Sequence, residues 1–194
     1  MRTRAVIFDL DGTITEPYLD FDKIRREIGM PPDAGPILEA MERMPPDDRR
    51  RAEDVLRRHE AEAAEASVLN DGAREVLQWL DEKGIRTAVL TRNSRVSVER
   101  VLTRHGLRFD AVRTREDGAI KPSPEPVRAL CRELGVDPSE TWVVGDYLFD
   151  VQSGRQAGAK TVLLWPKPER PVWHTQADHV VRHLVELRRL IEPS

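Results

Sequence analysis

A chain of 194 residues, 39% hydrophobic and 34% charged, holds apolar content for one core, or one core with a small insertion, under a heavily charged surface. Its formal net charge is −3, and acidic residues interleave with the arginines, so no single-sign stripe forms and no nucleic-acid partner is expected. A single cysteine excludes an intrachain disulfide, and no apolar run approaches a signal peptide or a membrane span, so a cytoplasmic protein without a membrane partner is expected.

The first predicted strand, 5–8, runs straight into Asp9-Leu10-Asp11-Gly12-Thr13. Strand alternation sets Asp9 and Asp11 on one side at the strand tip. Two carboxylates there repel one another and ask for a cation; one is then placed to act as a nucleophile and the other as an acid or base. An EF-hand loop also begins Asp-x-Asp, but it needs glycine at its sixth position and glutamate at its twelfth. Here those positions are Ile14 and Asp20.

Between this strand and residue 72 the pattern is helical only. Helices are predicted near 20–29 and 34–43, separated by Gly29-Met30-Pro31-Pro32. A longer one near 46–66 carries Ala52, Val55, Leu56, His59, Ala63 and Ala66 on one stripe. A crossover between parallel strands needs only one helix, so 16–70 reads as an inserted helical subdomain. Placed after the first strand, it would stand as a lid over that strand's carboxyl end, above a core of 1–15 and 71–194. Tyr18, Asp20, Phe21, Asp22 and Lys23 are candidates for substrate contact, whereas Arg25 and Arg26 suit a solvated face equally well.

A helix over 72–83, with Val76, Leu77 and Leu80 on one face, stops at Gly84 and leads to a strand over 85–90. Thr91-Arg92-Asn93-Ser94 follows, a hydroxyl and turn amides at the start of a helix over 94–105, which suits a phosphate. A weaker strand covers 109–113, and Lys121 comes after Ala119-Ile120 and before Pro122. Ser123 is a plausible N-cap for a helix over 124–134 with Pro124 at its first position; Cys131 sits there as a buried structural thiol. The strand at 141–144 ends in Gly145-Asp146, and Asp150, four residues on, shares a helical face with Asp146. A strand at 161–165, a proline-rich exit, an edge strand near 178–181 and a helix carrying Leu184, Leu187, Leu190 and Ile191 complete the chain. Alternating strands and helices indicate an α/β fold: a Rossmann-like parallel sheet with helices on both faces, plus the inserted small α-helical cap. Trp165 and Trp173 are expected to serve packing, and His174, His179 and His183 lack the partners that would complete a tetrahedral metal set.

Asp9, Asp11, Asp146 and Asp150, one lysine, one threonine and a set of turn amides remain as the chemical inventory. Mg²⁺ prefers a few carboxylates plus waters and phosphate oxygens. Lysine and hydroxyl or amide donors offset phosphoryl charge. Together they describe metal-assisted phosphoryl transfer through an aspartyl-phosphate.

The ordered set Asp9-Leu10-Asp11-Gly12-Thr13, Thr91, Lys121 and Gly145-Asp146-x-x-x-Asp150, each read as ending a strand, resembles the haloacid dehalogenase-like hydrolase superfamily. The helical insertion resembles the small cap of its phosphoglycolate-phosphatase-like branch. The resemblance implies that Asp9 attacks phosphorus and that Asp11 protonates the leaving alkoxide and then deprotonates water. It also implies that Mg²⁺ is bound by the Asp9 side chain, the Asp11 carbonyl and Asp146, with Asp150 assisting. Thr91 and the Arg92 and Asn93 amides would hold the phosphoryl group, and Lys121 would balance its charge. An aspartate at position 11 sets the chain apart from the family's dehalogenases and ion pumps. The implied substrate is a small phosphorylated metabolite. A phosphomutase of the β-phosphoglucomutase type shares the motifs, and a non-catalytic phosphate-binding module is the reading from another class.

Overall fold

The computed structural model describes residues 2–31 and 33–192, so Pro32 of the break at 29–32 lies outside the described residues. Six strands form one fully parallel sheet: β1 (Ala5–Phe8), β2 (Arg86–Leu90), β3 (Ala111–Arg113), β4 (Thr141–Gly145), β5 (Lys160–Leu164) and β6 (His179–Val181). They lie in the order β3-β2-β1-β4-β5-β6. Every residue of β1 is buried, as a central strand covered on both faces requires. Ala5 pairs with Arg86 on one side and Thr141 on the other, which fixes the register of β1 between β2 and β4.

Alternation along β1 divides the core into two layers. Val6 and Phe8 face the apolar residues of α4 (Ala73–Glu82), α5 (Arg95–His105) and α8 (Leu187–Ile191). Ile7 faces α6 (Glu125–Leu134) and Ala157 of α7 (Leu148–Ala157). Chain direction across the sheet reverses at β1, and open α/β sheets leave a crevice at the carboxyl ends of strands on either side of such a point.

Three helices, α1 (Phe21–Ile28), α2 (Ile37–Glu42) and α3 (Pro46–Ala66), leave the core after β1 and return before α4. They bury their own apolar cluster, with Ile24, Ile37, Met41, Ala52 and Leu56 among its members. The outgoing and returning segments are stitched together. Glu16 N–H donates to the Val68 carbonyl and Asn70 N–H to the Ile14 carbonyl, each at 2.9 Å. Asn70 Nδ2 reaches the carbonyls of Gly12 and Thr13 at 3.3 and 3.1 Å. The far end of α3 rests on α5, where Ser67 Oγ meets His105 Nε2 at 2.8 Å.

Several elements differ from the sequence expectation. Ala66 is exposed, and the charged Glu60 is buried on α3 in its place. Pro124 is the N-cap of α6 and not its first residue, although Ser123 Oγ does accept from Glu125 N–H at 3.3 Å. Leu184 lies in a 3-10 turn ahead of the short α8, so the final amphipathic run is broken. Lys121 does not end a strand; it sits in the loop between β3 and α6. Helix α7 carries no apolar stripe because its buried face is Asp150, Val151, Ser153, Gly154 and Ala157. Gly154 is needed there, since a Cβ would stand 2.8 Å from side-chain atoms of both Val143 and Thr161. Among the described residues, no helix is long and apolar enough to cross a membrane.

Candidate active site

Strand β1 ends at Phe8, so a turn brings Asp9 and Asp11 to one cavity; the strand alternation expected from sequence does not extend that far. Gly12 makes the turn possible. Its φ of +83° is a conformation that glycine adopts without strain, and a Cβ would stand 2.3 Å from Asp146 Oδ2. The Asp9 N–H donates to the Val144 carbonyl at 2.9 Å, which ties the first loop to the end of β4.

Thr91 follows β2, and its hydroxyl accepts from the Asn93 N–H at 3.2 Å. Asp146 follows β4, and Asp150 lies in the first turn of α7, where its Oδ2 accepts from the Tyr147 N–H at 3.1 Å. Lys121 is buried, and its Nζ donates to Asp9 Oδ1 at 2.7 Å and to Asp150 Oδ1 at 2.6 Å. Ligand oxygens of Asp9, Asp146 and Asp150 lie within 4.8 Å of one another.

Crowding of acids sets the electrostatics. Burial, reinforced by the negative charge of Asp9, pushes Asp11 up to about 7. Burial also raises Asp150, to about 6, despite the neighbouring Lys121. Asp146 is held well above the usual carboxylate range by burial and by the charges of Asp9 and Asp150. Burial opposes the charged form of Lys121, but Asp150 and Asp9 outweigh it and its ammonium is stabilised. One buried lysine cannot satisfy three converging carboxylates, and an all-oxygen donor set of this kind suits a hard divalent cation.

The family model for haloacid dehalogenase-like hydrolases matches residues 22–158. The chain belongs to the haloacid dehalogenase-like hydrolase family. An N-acetylmuramic acid 6-phosphate phosphatase of Pseudomonas aeruginosa is 30% identical over 96% of this chain and 94% of its own. A phosphoglycolate phosphatase of Aquifex aeolicus is 30% identical over 84% of this chain and 85% of its own. Among solved structures, a hydrolase from Pseudomonas syringae shares the fold with a TM-score of 0.83 at 20% identity, covering 97% of this chain and 98% of that one.

In this family member, Asp9, Asp11, Thr91, Arg92, Asn93, Lys121, Asp146 and Asp150 all line one cavity of about 630 Å³. The Asp11 side chain stands outside the Asp9–Asp146–Asp150 trio and accepts from the Tyr18 N–H at 3.4 Å. The Arg92 side chain turns from the carboxylates to Glu39 of α2, with bonds of 2.9 and 2.6 Å. Of the insertion candidates, Phe21 and Asp22 line the cavity, and so does Arg25.

Sequence reasoning missed Glu39, Glu60, Arg115, Tyr147 and Phe149. Glu60 is buried, pairs with Arg115 and accepts from the Ser94 N–H at 3.2 Å, so it joins α3 to the start of α5. A glutamate within the apolar stripe of α3, four residues after Leu56 and three before Ala63, is its only sequence signal. Trp173 packs edge-on to Trp165 and to Tyr147 at 6.2 and 6.0 Å, and Tyr147 borders the cavity. His179 stacks on Trp142 and His174 bonds to the Pro171 carbonyl, both away from the carboxylates.

Proposed function

We propose that this protein is a Mg²⁺-dependent phosphatase that hydrolyses a small phosphorylated metabolite through an aspartyl-phosphate. The observation that carries the reading is Lys121, bonded at once to Asp9 and Asp150 on the floor of a cavity that Asp11 and Thr91 also line. The names of the relatives, which include two kinds of phosphatase, support it.

In this reading the Asp9 carboxylate forms a bond to phosphorus as the ester P–O bond breaks. Asp11 gives its proton to the departing alkoxide oxygen, which its raised proton affinity suits near neutral pH. Asp11, now ionised, takes a proton from the water that attacks phosphorus, and phosphate leaves as Asp9 is restored. Lys121 holds Asp9 in place and balances phosphoryl charge, while Thr91 and the amides of Arg92 and Asn93 receive the phosphoryl oxygens. Asp9, Asp146, the Asp11 carbonyl and Asp150, directly or through water, would hold Mg²⁺, which supplies positive charge against the phosphoryl group. The insertion α1–α3, residues 16–70 with their connecting segments, acts as the cap that shields the reaction and selects the substrate.

The test is phosphate release from a generic aryl phosphate. Asp9→Asn lowers turnover by about a thousandfold or more, and chelation of Mg²⁺ from the wild type does the same. Comparable turnover by Asp9→Asn removes Asp9 as nucleophile.

A further inference from the structure

The turn assigned above to the phosphoryl oxygens, Thr91-Arg92-Asn93-Ser94, belongs to the core, yet the inserted helices hold it at several points. Glu39 of α2 takes the Arg92 guanidinium through both carboxylate oxygens, at 2.9 and 2.6 Å. Glu60 of α3 accepts from the Ser94 N–H at 3.2 Å and pairs with Arg115, which donates to the Arg92 carbonyl at 3.3 Å. The Arg92 guanidinium also donates to the Lys121 carbonyl and stacks 4.9 Å over Phe149, the residue before Asp150. One side chain thus ties the insertion to the backbone of the lysine that bonds Asp9 and Asp150. Helix α2 buries Ile37, Ala40 and Met41 in the insertion's own cluster, so Glu39 is carried by the insertion and not by the sheet.

As a fastening, a partly exposed ion pair contributes little to stability. Its geometry suits a different task. A planar fork held by two parallel bonds has one orientation, whereas a free arginine side chain samples many rotamers. Without Glu39 the guanidinium keeps the Lys121 carbonyl and the ring of Phe149, and the turn loses a restraint on the aim of its amides. Donors to a phosphoryl group work when they are preset in position, and small displacements are costly. We propose that Glu39 is a positioning residue: it sets the Arg92 side chain and, through it, the phosphate-receiving turn and Lys121. The cradle then takes its working shape only beneath a docked insertion. This deepens the phosphatase reading above and rests on it for the role of the turn.

Inorganic phosphate is the probe, because it has no leaving group with which to touch the insertion. In the full chain with Mg²⁺, Glu39→Gln should raise the inhibition constant of inorganic phosphate about fivefold and lower kcat on 4-nitrophenyl phosphate about tenfold. Arg92→Met should do the same, and adding Glu39→Gln to it should change neither quantity by more than about twofold. A wild-type inhibition constant in Glu39→Gln overturns the proposal, and so does an equal further loss in the Arg92→Met background. Hydrogen exchange supplies a readout that needs neither turnover nor Arg92→Met. Linkage requires bound phosphate to steady the insertion in return. Saturating inorganic phosphate with Mg²⁺ should therefore slow exchange of the Ile37–Glu42 amides about fivefold in the wild type and leave it unchanged in Glu39→Gln. No slowing in the wild type, or equal slowing in Glu39→Gln, overturns the proposal. Slowing confined to the wild type, with no metal-dependent phosphate release from any ester, upholds Glu39 and sinks the phosphatase reading itself.

Discussion

Asp9 and Asp11 stand two residues apart and differ in their surroundings. Burial first, and the charge of Asp9 second, bring Asp11 to about 7, so it is a neutral acid below that pH and a carboxylate above it. An alkyl phosphate needs a proton on its leaving oxygen, and a nitrophenyl phosphate does not. The ratio of alkyl to aryl turnover is therefore expected to fall as pH rises through about 7. Asp11→Asn should lower alkyl turnover by about a hundredfold while costing aryl turnover less. A ratio flat across that range, measured by initial rates, would remove Asp11 as the acid. That both aspartates, Thr91, Lys121, Asp146 and Asp150 share one cavity was legible, because residue type and order mark these positions locally. Glu39 was not, because its meaning depends on Arg92, which folding alone brings to it.

Helix α3 works through a single buried charge. The side chains of Glu60 and Arg115 are 2% and 9% exposed, so removing either partner strands the other away from water. Glu60→Ala is expected to lower unfolding stability by about 3 kcal/mol in urea titrations. A double replacement by apolar residues, Glu60→Leu with Arg115→Met, should recover most of that loss. If the double variant is no better than the single, the pair is not what holds α3 to the start of α5. Periodicity could not show this, because it predicts which face of a helix is buried and treats a charge as surface. Helix α7 escaped for a related reason: its inner face is small and polar to fit under Val143 and Thr161, so it has no apolar rhythm to read.

The whole molecule carries its acid cluster as a pH-dependent strain. Asp11, Asp146 and Asp150 all bind protons more tightly folded than in an unfolded chain. Their contribution to stability is therefore greatest in acid and is lost as pH rises through about 6 to about 7. The thermal midpoint of metal-free protein should fall between about pH 5 and about pH 8, and the gain on adding Mg²⁺ should grow over the same interval. A gain that does not change with pH would count against metal binding by these carboxylates. At this scale the parallel α/β fold was readable from the alternation of strands and helices. The fate of the inserted helices depended on contacts that no local pattern records. The stitched neck beneath those helices has a consequence for how the chain can vary. Thr15 and Leu69 are bridged antiparallel, so the loop that the insertion closes begins and ends on neighbours already held together. Loop-closure entropy grows only with the logarithm of length. The helices above the neck can therefore lengthen, shorten or change sequence at little cost to the sheet below, while the carboxylates stay where they are.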